Sequence, residues 1–493
     1  MTALHLYKVS VLTLLLTITY CNGFALPAKV AITSSTFQKS INTHLHDASS
    51  SSSVEIDDGI IDESKQGLLS GVFSLVKCNV GSGVFALPFG IASFSDVANL
   101  STVLPASLLM SLCGLLAGYT FYMIPRISRL GQSDIDLQCK TKTLAASWEA
   151  EVGKDSAWFV SLCLLLTPLG TVLTYSIILG DIISSFVRTA GVTGLMGSRQ
   201  ASILTLTYAL LYPLTKLKSL SALAPVSILG VTGVALTSIF MVMRALPTSP
   251  YFAAGSVLLE SLPMASRPSF GVKGNHFFSP SIFILISMAA CSMLAHCSSQ
   301  DFCDDLKNST PKRFKSLVGL GFGFTVLANI VVMTAGFLTF GGACKGMILN
   351  NYSPLDIGAT ISRLLVAVSL IGSFPIYTRA IKSAYLEFMY KGKQVSDETS
   401  KMVNRIIVGG ITATSLFVSD AGIVISLLGA IMGSAIIYQL PSIIFLKKTK
   451  RLVQEGKLKV SSRLYVERIA NRCLIGIGGL LAILGTMVTL KVI

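Results

Sequence analysis

Long apolar runs recur from residue 68 to the end of the chain, separated by short polar stretches. Each run has about the 20 residues that a helix needs to cross a hydrocarbon layer of roughly 30 Å. None shows the alternation over about ten residues that a membrane β-barrel strand requires. The pattern predicts an all-α polytopic membrane protein with eleven helices, near residues 68–95, 102–125, 156–187, 200–214, 219–243, 279–300, 316–341, 355–378, 403–418, 422–446 and 473–493.

Lysine and arginine are distributed unevenly between the two sides that these helices define. Segments on the side of residue 67 hold 27 of the 39 Lys and Arg residues, and the opposite side holds 7. Such a bias indicates that the first side is the inner one. Topology and contact with anionic membrane lipid therefore account for the net charge of +15, and nucleic-acid binding is not expected.

Composition agrees with a membrane protein and argues against an enzyme. Hydrophobic residues make up 52% of the chain and charged residues 13%, compared with about 25% charged residues in an average soluble domain. The ten cysteines are scattered without a CxxC pair, so neither a disulfide framework nor a metal site is expected. No HExxH, Walker loop or nucleophile elbow occurs, and no cofactor is expected.

The segment before the first helix reads as a targeting sequence. Residues 1–23 have the pattern of a signal peptide, and residues 24–53 are rich in Ser and Thr with few acids, as in a transit peptide. Together they resemble the two-part presequences of plastid proteins in algae with secondary plastids. An acidic tail, residues 54–67, follows. This predicts a plastid envelope location. The alternative is a plain signal peptide with a disordered Ser-rich tail in an endomembrane or plasma membrane protein.

The first predicted helix contains the stretch VKCNVGSGVFALP at residues 76–88. Its two glycines and Pro88 predict an unwound turn, and in hydrocarbon such a turn persists only where it lines a cavity or binds a ligand. Amides at the start of the second half-helix favour an anionic group such as a carboxylate. Close packing of small residues is the alternative. The predicted binding residues here are Asn79, Gly81, Ser82, Gly83 and Val84.

The sixth predicted helix is interrupted at SMLAHCSSQDF, residues 292–302, where apolar residues give way to polar ones. Interruptions in the first and sixth helices are typical of transporters built from two inverted repeats of five helices, with the substrate between the breaks. The predicted binding residues here are Ser292, His296, Cys297 and Ser298. A plain helix end is the alternative.

Several stretches resemble the amino acid/auxin permease family, most closely its proton-assisted amino acid transporter branch. The resemblance implies a LeuT-like 5+5 inverted repeat with broken helices 1 and 6 plus an eleventh helix, and secondary active transport of amino acids. An amino acid sensor that uses the same fold without net transport is the alternative. The stretches are VKCNVGSGVFALPFGI, DDLKNSTPKRFKSL, GFLTFGGACKGMILNNYSPLDI, RLLVAVSLIGSFPIYTRAIKSA and LLGAIMGSAIIYQLPSIIFLK.

Departures from the family pattern concern the coupling ion. Lys77 and Ile371 occupy positions that resemble those where the sodium-coupled branch carries ion ligands, and Ser74 replaces a histidine typical of proton-assisted members. An ammonium repels sodium and isoleucine offers no oxygen ligand, so we expect sodium-independent transport with the proton as partner and Lys77 as the coupling residue. Val84 and Phe85 suggest a small neutral substrate. The sequence does not indicate an oligomeric state.

Overall fold

The computed structural model describes residues 65–131, 143–217, 224–390 and 395–492, so the predicted presequence and most of the acidic tail lie outside the described residues. Within these ranges, eleven helical units occupy the predicted positions. They are α1a (Leu68–Asn79), α1b (Ser82–Ala86 and Leu87–Ala92), α2 (Leu100–Arg129), α3 (Ala157–Thr189), α4 (Arg199–Leu206, Thr207–Leu211 and Tyr212–Thr215), α5 (Ala224–Arg244), α6a (Ile282–Ser292), α6b (His296–Ser298 and Ser299–Asp304), α7 (Pro311–Phe340), α8 (Ile357–Tyr390), α9 (Asp397–Phe417), α10 (Ala421–Leu428, Gly429–Gln439 and Leu440–Gln454) and α11 (Ser462–Thr489).

Length and apolar character identify most of these units as membrane spans. In the described part of the chain, seven helices are long and apolar enough to cross a bilayer, and an eighth results when the two halves of α1 count as one span bent by 48°. The protein is therefore a multi-pass integral membrane protein.

The first ten helices divide into two groups of five, and several helices at equivalent positions of the two groups pack against each other. In the centre, α1b packs against α6a; around them, α2 packs against α7 and α3 against α8. Glycines allow close approach within this arrangement: a Cβ at Gly336 would lie 2.5 Å from Pro88 of α1b, and a Cβ at Gly321 would lie 2.6 Å from Leu75 of α1a. This pairing is the one expected of an inverted repeat.

Two backbone clamps join the broken helices at their ends. We call the face where α1a begins the inner face and the opposite one the outer face. In the inner clamp, the Gln66 amide donates to the Asp305 carbonyl at 2.7 Å, and the Lys307 amide donates to the Gln66 carbonyl at 2.9 Å. The inner ends of α1a and α6b are therefore held together.

The outer clamp is centred on the buried carboxylate of Asp96, which follows α1b. It accepts backbone N–H bonds from Val272, Lys273 and Gly274, just before α6a, at 2.7, 2.6 and 2.8 Å. Burial raises the pKa of Asp96, but the amides of Lys273, Gly274 and Val272 outweigh burial and bring this pKa below its ordinary value. The clamp is thus fully charged at neutral pH.

A loop of residues 341–356, which we call the outer loop, covers the outer end of α1b. Ile348 and Leu349 of this loop are fully buried. Arg363 of α8, also buried, holds the loop through its guanidinium: Nη2 donates to the Leu349 carbonyl at 2.7 Å and to the Tyr352 carbonyl at 2.6 Å. The outer loop closes the bundle above the helix breaks.

The middle of α10 is a π-helix, Gly429–Gln439, that packs against α6a. A Cβ at Gly429 would lie 1.7 Å from the Ser287 carbonyl oxygen and 2.6 Å from its carbonyl carbon. Because the nearest atoms are backbone, only glycine permits this crossing.

Candidate functional site

The break in α1 follows from the local backbone. Helix α1a ends at Asn79, and the Val80 amide donates to the Val76 carbonyl at 2.7 Å. Gly81 is extended, with φ −112° and ψ −160°, and a 3₁₀ turn then begins at Ser82. The first amides of this turn have no acceptor within their own helix. The predicted break is confirmed, and it presents N–H donors to the centre of the bundle.

The glycines at this break border an open space. A Cβ at Gly81 or Gly83 would meet no heavy atom within 4 Å, whereas a Cβ at Gly71 or Gly90, in the flanking half-helices, would lie within 3 Å of a leucine side chain. Neither Gly81 nor Gly83 has a positive φ. Close helix packing therefore does not explain these two glycines, and the space beside them has room for a ligand.

Asn79, the last residue of α1a, brings a polar group to the same level. Its side chain is 7% exposed, and neither its amide oxygen nor its amide nitrogen has a hydrogen-bond partner among the described residues. A buried amide without partners is costly in a protein interior. This side chain is therefore available to a ligand or water. The side chain of Ser82, also predicted to bind, lies outside the described part of the structure.

The break in α6 spans Met293 to Ala295, after which the chain continues as a helix to Asp304. The interruption predicted at residues 292–302 is therefore a true break, and the alternative of a plain helix end is wrong. Cys297 and Ser298, just beyond it, are both partly exposed. These two residues remain next to the break as predicted.

Ser292 and His296 point to other helices, which corrects their predicted position beside the substrate. Asn329 of α7 donates to the Ser292 hydroxyl at 2.9 Å. His296 is fully buried, with Nε2 3.0 Å from the Ala117 carbonyl and 3.0 Å from the Thr120 hydroxyl of α2. Both side chains therefore make interhelical hydrogen bonds, Ser292 from the end of α6a and His296 from the start of α6b. Val84 is 1% exposed and packs in the core.

A crevice lies between the two breaks. Cys78 of α1a is exposed although it lies in the bundle, within electrostatic range of Tyr175, Tyr377 and Cys297. Its exposure is therefore to a space inside the protein. Tyr175 of α3 and Tyr377 of α8 meet edge to face with ring centroids 5.7 Å apart. Side chains of four helices thus lie near one another at this level: α1a, α3, α6b and α8.

The binding residues predicted from the sequence did not include Tyr175, Tyr377 or Asn329. Asn329 could have been found from the sequence, because a polar amide in the middle of an apolar membrane helix costs free energy and therefore usually has a structural or functional role. The two tyrosines offered no such signal, since helix spacing alone does not reveal that α3 and α8 cross at these positions.

Lys77 lies one residue before Cys78 and is half-buried, and no carboxylate lies within ion-pair distance of it among the described residues. Ile371 and Ser74, which replace expected ligands, are also half-buried. Among all the residues that the structure describes, no group of three His, Cys, Asp or Glu side chains forms a metal site. The fixed charge near the break is therefore positive.

Comparisons with known proteins agree with this geometry. A family model described as "Transmembrane amino acid transporter protein" matches residues 64–491. The chain is 24% identical over 403 residues to "Putative sodium-coupled neutral amino acid transporter 11" of Danio rerio, covering 80% of this chain and 82% of that protein. It is 21% identical to "Amino acid transporter AVT6E" of Arabidopsis thaliana, with 85% and 82% coverage. It is 22% identical to "Vacuolar amino acid transporter 2" of Saccharomyces cerevisiae, with 77% and 76% coverage.

Solved structures with the same fold include two conformations of the transporter Mhp1. The inward-facing form aligns with a TM-score of 0.54 at 12% identity, covering 89% of this chain and 95% of that one. The closed form with bound bromovinylhydantoin aligns with a TM-score of 0.53 at 13% identity, covering 87% and 91%. The fold is the predicted LeuT-like 5+5 inverted repeat with broken helices 1 and 6 and an eleventh helix.

Proposed function

This chain belongs to the transmembrane amino acid transporter family, and from that membership we propose that it is a secondary active transporter of small neutral amino acids. The observation that carries the proposal is the open space beside Gly81 and Gly83, between the breaks in α1 and α6. An amino acid presents a carboxylate and an ammonium, which require free amides and free oxygen atoms respectively.

We propose that the crevice supplies both kinds of group. The amides of Ser82 and Gly83, at the start of α1b, receive the carboxylate, since a half-helix N-terminus favours an anion. The Gly81 amide already donates to the Asn79 carbonyl at 3.0 Å. Carbonyl groups left unpaired at the ends of α1a and α6a receive the ammonium. The Asn79 side chain, which lacks a partner in the described structure, and the Ser298 hydroxyl complete the polar surface.

The substrate site is tested with valine at Gly83. In purified protein, Gly83→Val fills the space beside the amides and abolishes binding of labelled neutral amino acids, while the fold survives because a Cβ at this position meets no heavy atom within 4 Å. The matched control is Gly319→Val in α7, where a Cβ also meets nothing and the residue is exposed. Wild-type affinity in Gly83→Val would mean that the α1 break binds no substrate.

Transport is distinguished from sensing by flux in proteoliposomes. A symporter accumulates labelled amino acid above its outside concentration when a proton gradient is imposed. A sensor binds the same amino acid without flux. Binding in detergent without uptake in liposomes would therefore reject transport in favour of the sensor.

We propose that the coupling ion is the proton, although some relatives carry names that describe sodium coupling. The support lies in Lys77 and Ile371, which place an ammonium and a hydrocarbon side chain where resemblance predicts sodium ligands. Uptake should depend on pH and should be unchanged when choline replaces sodium. Lys77→Met should remove the pH dependence, while Lys312→Met, at an exposed position, should keep it. A strict sodium requirement in the wild-type protein would refute this coupling.

We propose a plastid envelope as the membrane, from the two-part presequence and the 27-to-7 distribution of Lys and Arg. A fusion of residues 1–60 to a fluorescent protein should enter a plastid. Retention in the endoplasmic reticulum, or appearance at the cell surface, would place the transporter in another membrane.

A further inference from the structure

A second cavity opens on the outer face, separate from the crevice. Its volume is about 330 Å³, at the lower end of the roughly 300–1,000 Å³ typical of ligand pockets. We call it the outer vestibule and define it by Phe89, Asp181, Lys345, Asn350 and Asp420. Phe89 belongs to α1b, so the vestibule touches the same half-helix that carries the break.

The vestibule presents a cation without a fixed partner. The Lys345 side chain is exposed, and the described residues hold no carboxylate within ion-pair distance of its ammonium. Partial burial of the Lys345 side chain lowers its pKa; the negative charge of Asp181 opposes that shift, and the positive charge of Arg363 adds to it. This ammonium is therefore directed at the cavity rather than engaged in an ion pair.

The vestibule also presents an uncommitted carboxylate oxygen. Asp181 is fully engaged: Arg199 donates to one oxygen at 2.8 Å and Asn350 to the other at 2.9 Å. Asp420 differs, because its Oδ1 accepts the Gly422 amide at 2.7 Å while its Oδ2 has no partner in the described part of the chain.

Geometry brings the two uncommitted groups to the same place. Asp420 contacts the residue after Lys345 so closely that a Cβ at Gly346 would lie 2.2 Å from the Asp420 Oδ1. Yet no ion pair joins Lys345 to Asp420 in the described structure. A free cation and a free carboxylate oxygen therefore flank one cavity without neutralising each other.

We propose that the outer vestibule binds a zwitterionic amino acid, with its carboxylate at the Lys345 ammonium and its ammonium at the Asp420 carboxylate. It serves as a loading site outside the closed outer loop. The proposal rests on the proposed function, since it takes the substrate of the crevice as its ligand. A net charge close to zero in the vestibule favours zwitterions over amino acids with a charged side chain.

The test uses the full chain with a cysteine reporter in the vestibule. Ser419 lines the cavity and is exposed, so Ser419→Cys is modified by a charged maleimide applied to the outer face. Mass spectrometry quantifies that site alone, because Cys78 and Cys473 are also exposed. The control reporter is Met264→Cys, 82% exposed on another outer segment.

The expected result is protection by a neutral amino acid at the vestibule reporter only. At a concentration ten times the dissociation constant, modification of Ser419→Cys should slow about tenfold, and Met264→Cys should not change. Lys345→Met should abolish the protection. Asp420→Asn should also abolish it while keeping the Gly422 cap, because the amide oxygen of asparagine accepts the same bond.

Several results would overturn the inference. Protection that survives both charge variants, or that follows sodium chloride without amino acid, would mean that the vestibule does not bind a zwitterion. Uptake without protection would reject the loading site and leave the proposed function standing. Absence of both uptake and binding would reject the proposed function itself.

Discussion

Arg363 provides the most direct test of how the outer loop closes the crevice. Its guanidinium donates to the Leu349 carbonyl at 2.7 Å from Nη2 and at 3.2 Å from Nε, and to the Tyr352 carbonyl at 2.6 Å. In Arg363→Met these bonds are lost and two buried carbonyl groups lose their donors. The outer loop then leaves its position over α1b more often.

The magnitude follows from the bond count. Each hydrogen bond to a charged group contributes roughly 1.5–3 kcal/mol. Removing the arginine also relieves the cost of burying its charge, and its Nη1 has no partner in the described structure. A net loss of about 3 kcal/mol is therefore reasonable, which corresponds to a change on the order of 100-fold in the open fraction of the loop.

Cys78 reports that change, because it is exposed in the crevice below the outer loop. In oriented proteoliposomes, a membrane-impermeant thiol reagent on the outer face should modify Cys78 slowly in the wild type and on the order of 100-fold faster in Arg363→Met. Arg363→Lys should be intermediate, since an ammonium cannot fork between two carbonyl groups. Arg188→Met, at an exposed arginine, should match the wild type. A folded Arg363→Met protein with wild-type modification of Cys78 would refute the reasoning.

Two further predictions concern packing and the outer clamp. Gly429→Ala should destabilise the purified protein by at least about 1–3 kcal/mol in thermal unfolding, because its Cβ would lie 1.7 Å from the Ser287 carbonyl oxygen. The control Gly409→Ala, at an open position, should not destabilise it. A Gly429→Ala protein as stable as the wild type would mean that α10 can shift. Asp96→Asn should lower stability by about 1.5–3 kcal/mol at neutral pH. Since the pKa of Asp96 is lowered in the folded protein, the stability difference between wild type and Asp96→Asn should be complete above about pH 4 and disappear as pH falls through the folded pKa. A stability difference that stays constant at all pH values would contradict a clamp that depends on the charge of Asp96.

Hydrophobic patterning predicted the eleven helical units α1 to α11, but it missed the short helix Leu144–Glu151 between α2 and α3. It also placed helix ends only where the apolar run ends. The eleventh helix was predicted from residue 473, whereas α11 begins at Ser462. Its first turns carry Arg463, Arg468 and Arg472, which hydropathy excludes although they continue the helix into the water layer. The π-helix in α10 was also missed, because it depends on the contact of Gly429 with α6a rather than on local sequence.

The parts of the site that depend on local backbone conformation could be predicted from the sequence. The parts that depend on contacts between helices could not. Glycine and proline around residue 81 were sufficient to predict the break in α1. The orientation of His296 was not, because it depends on the Ala117 and Thr120 acceptors of another helix. For the same reason, the pairing of Tyr175 with Tyr377 appears only once α3 and α8 are packed.

The two clamps limit the number of independent motions available to the broken helices. If the four half-helices moved separately, some of their arrangements would leave both ends of the crevice open. Ions and water would then pass through without substrate. With α1a bonded to α6b at the inner face and α1b bonded to α6a at the outer face, the half-helices are tied in two pairs, so fewer such arrangements are available. We therefore expect that losing the bonds at Gln66 or Asp96, far from the substrate, would increase the leak of ions and water through the protein.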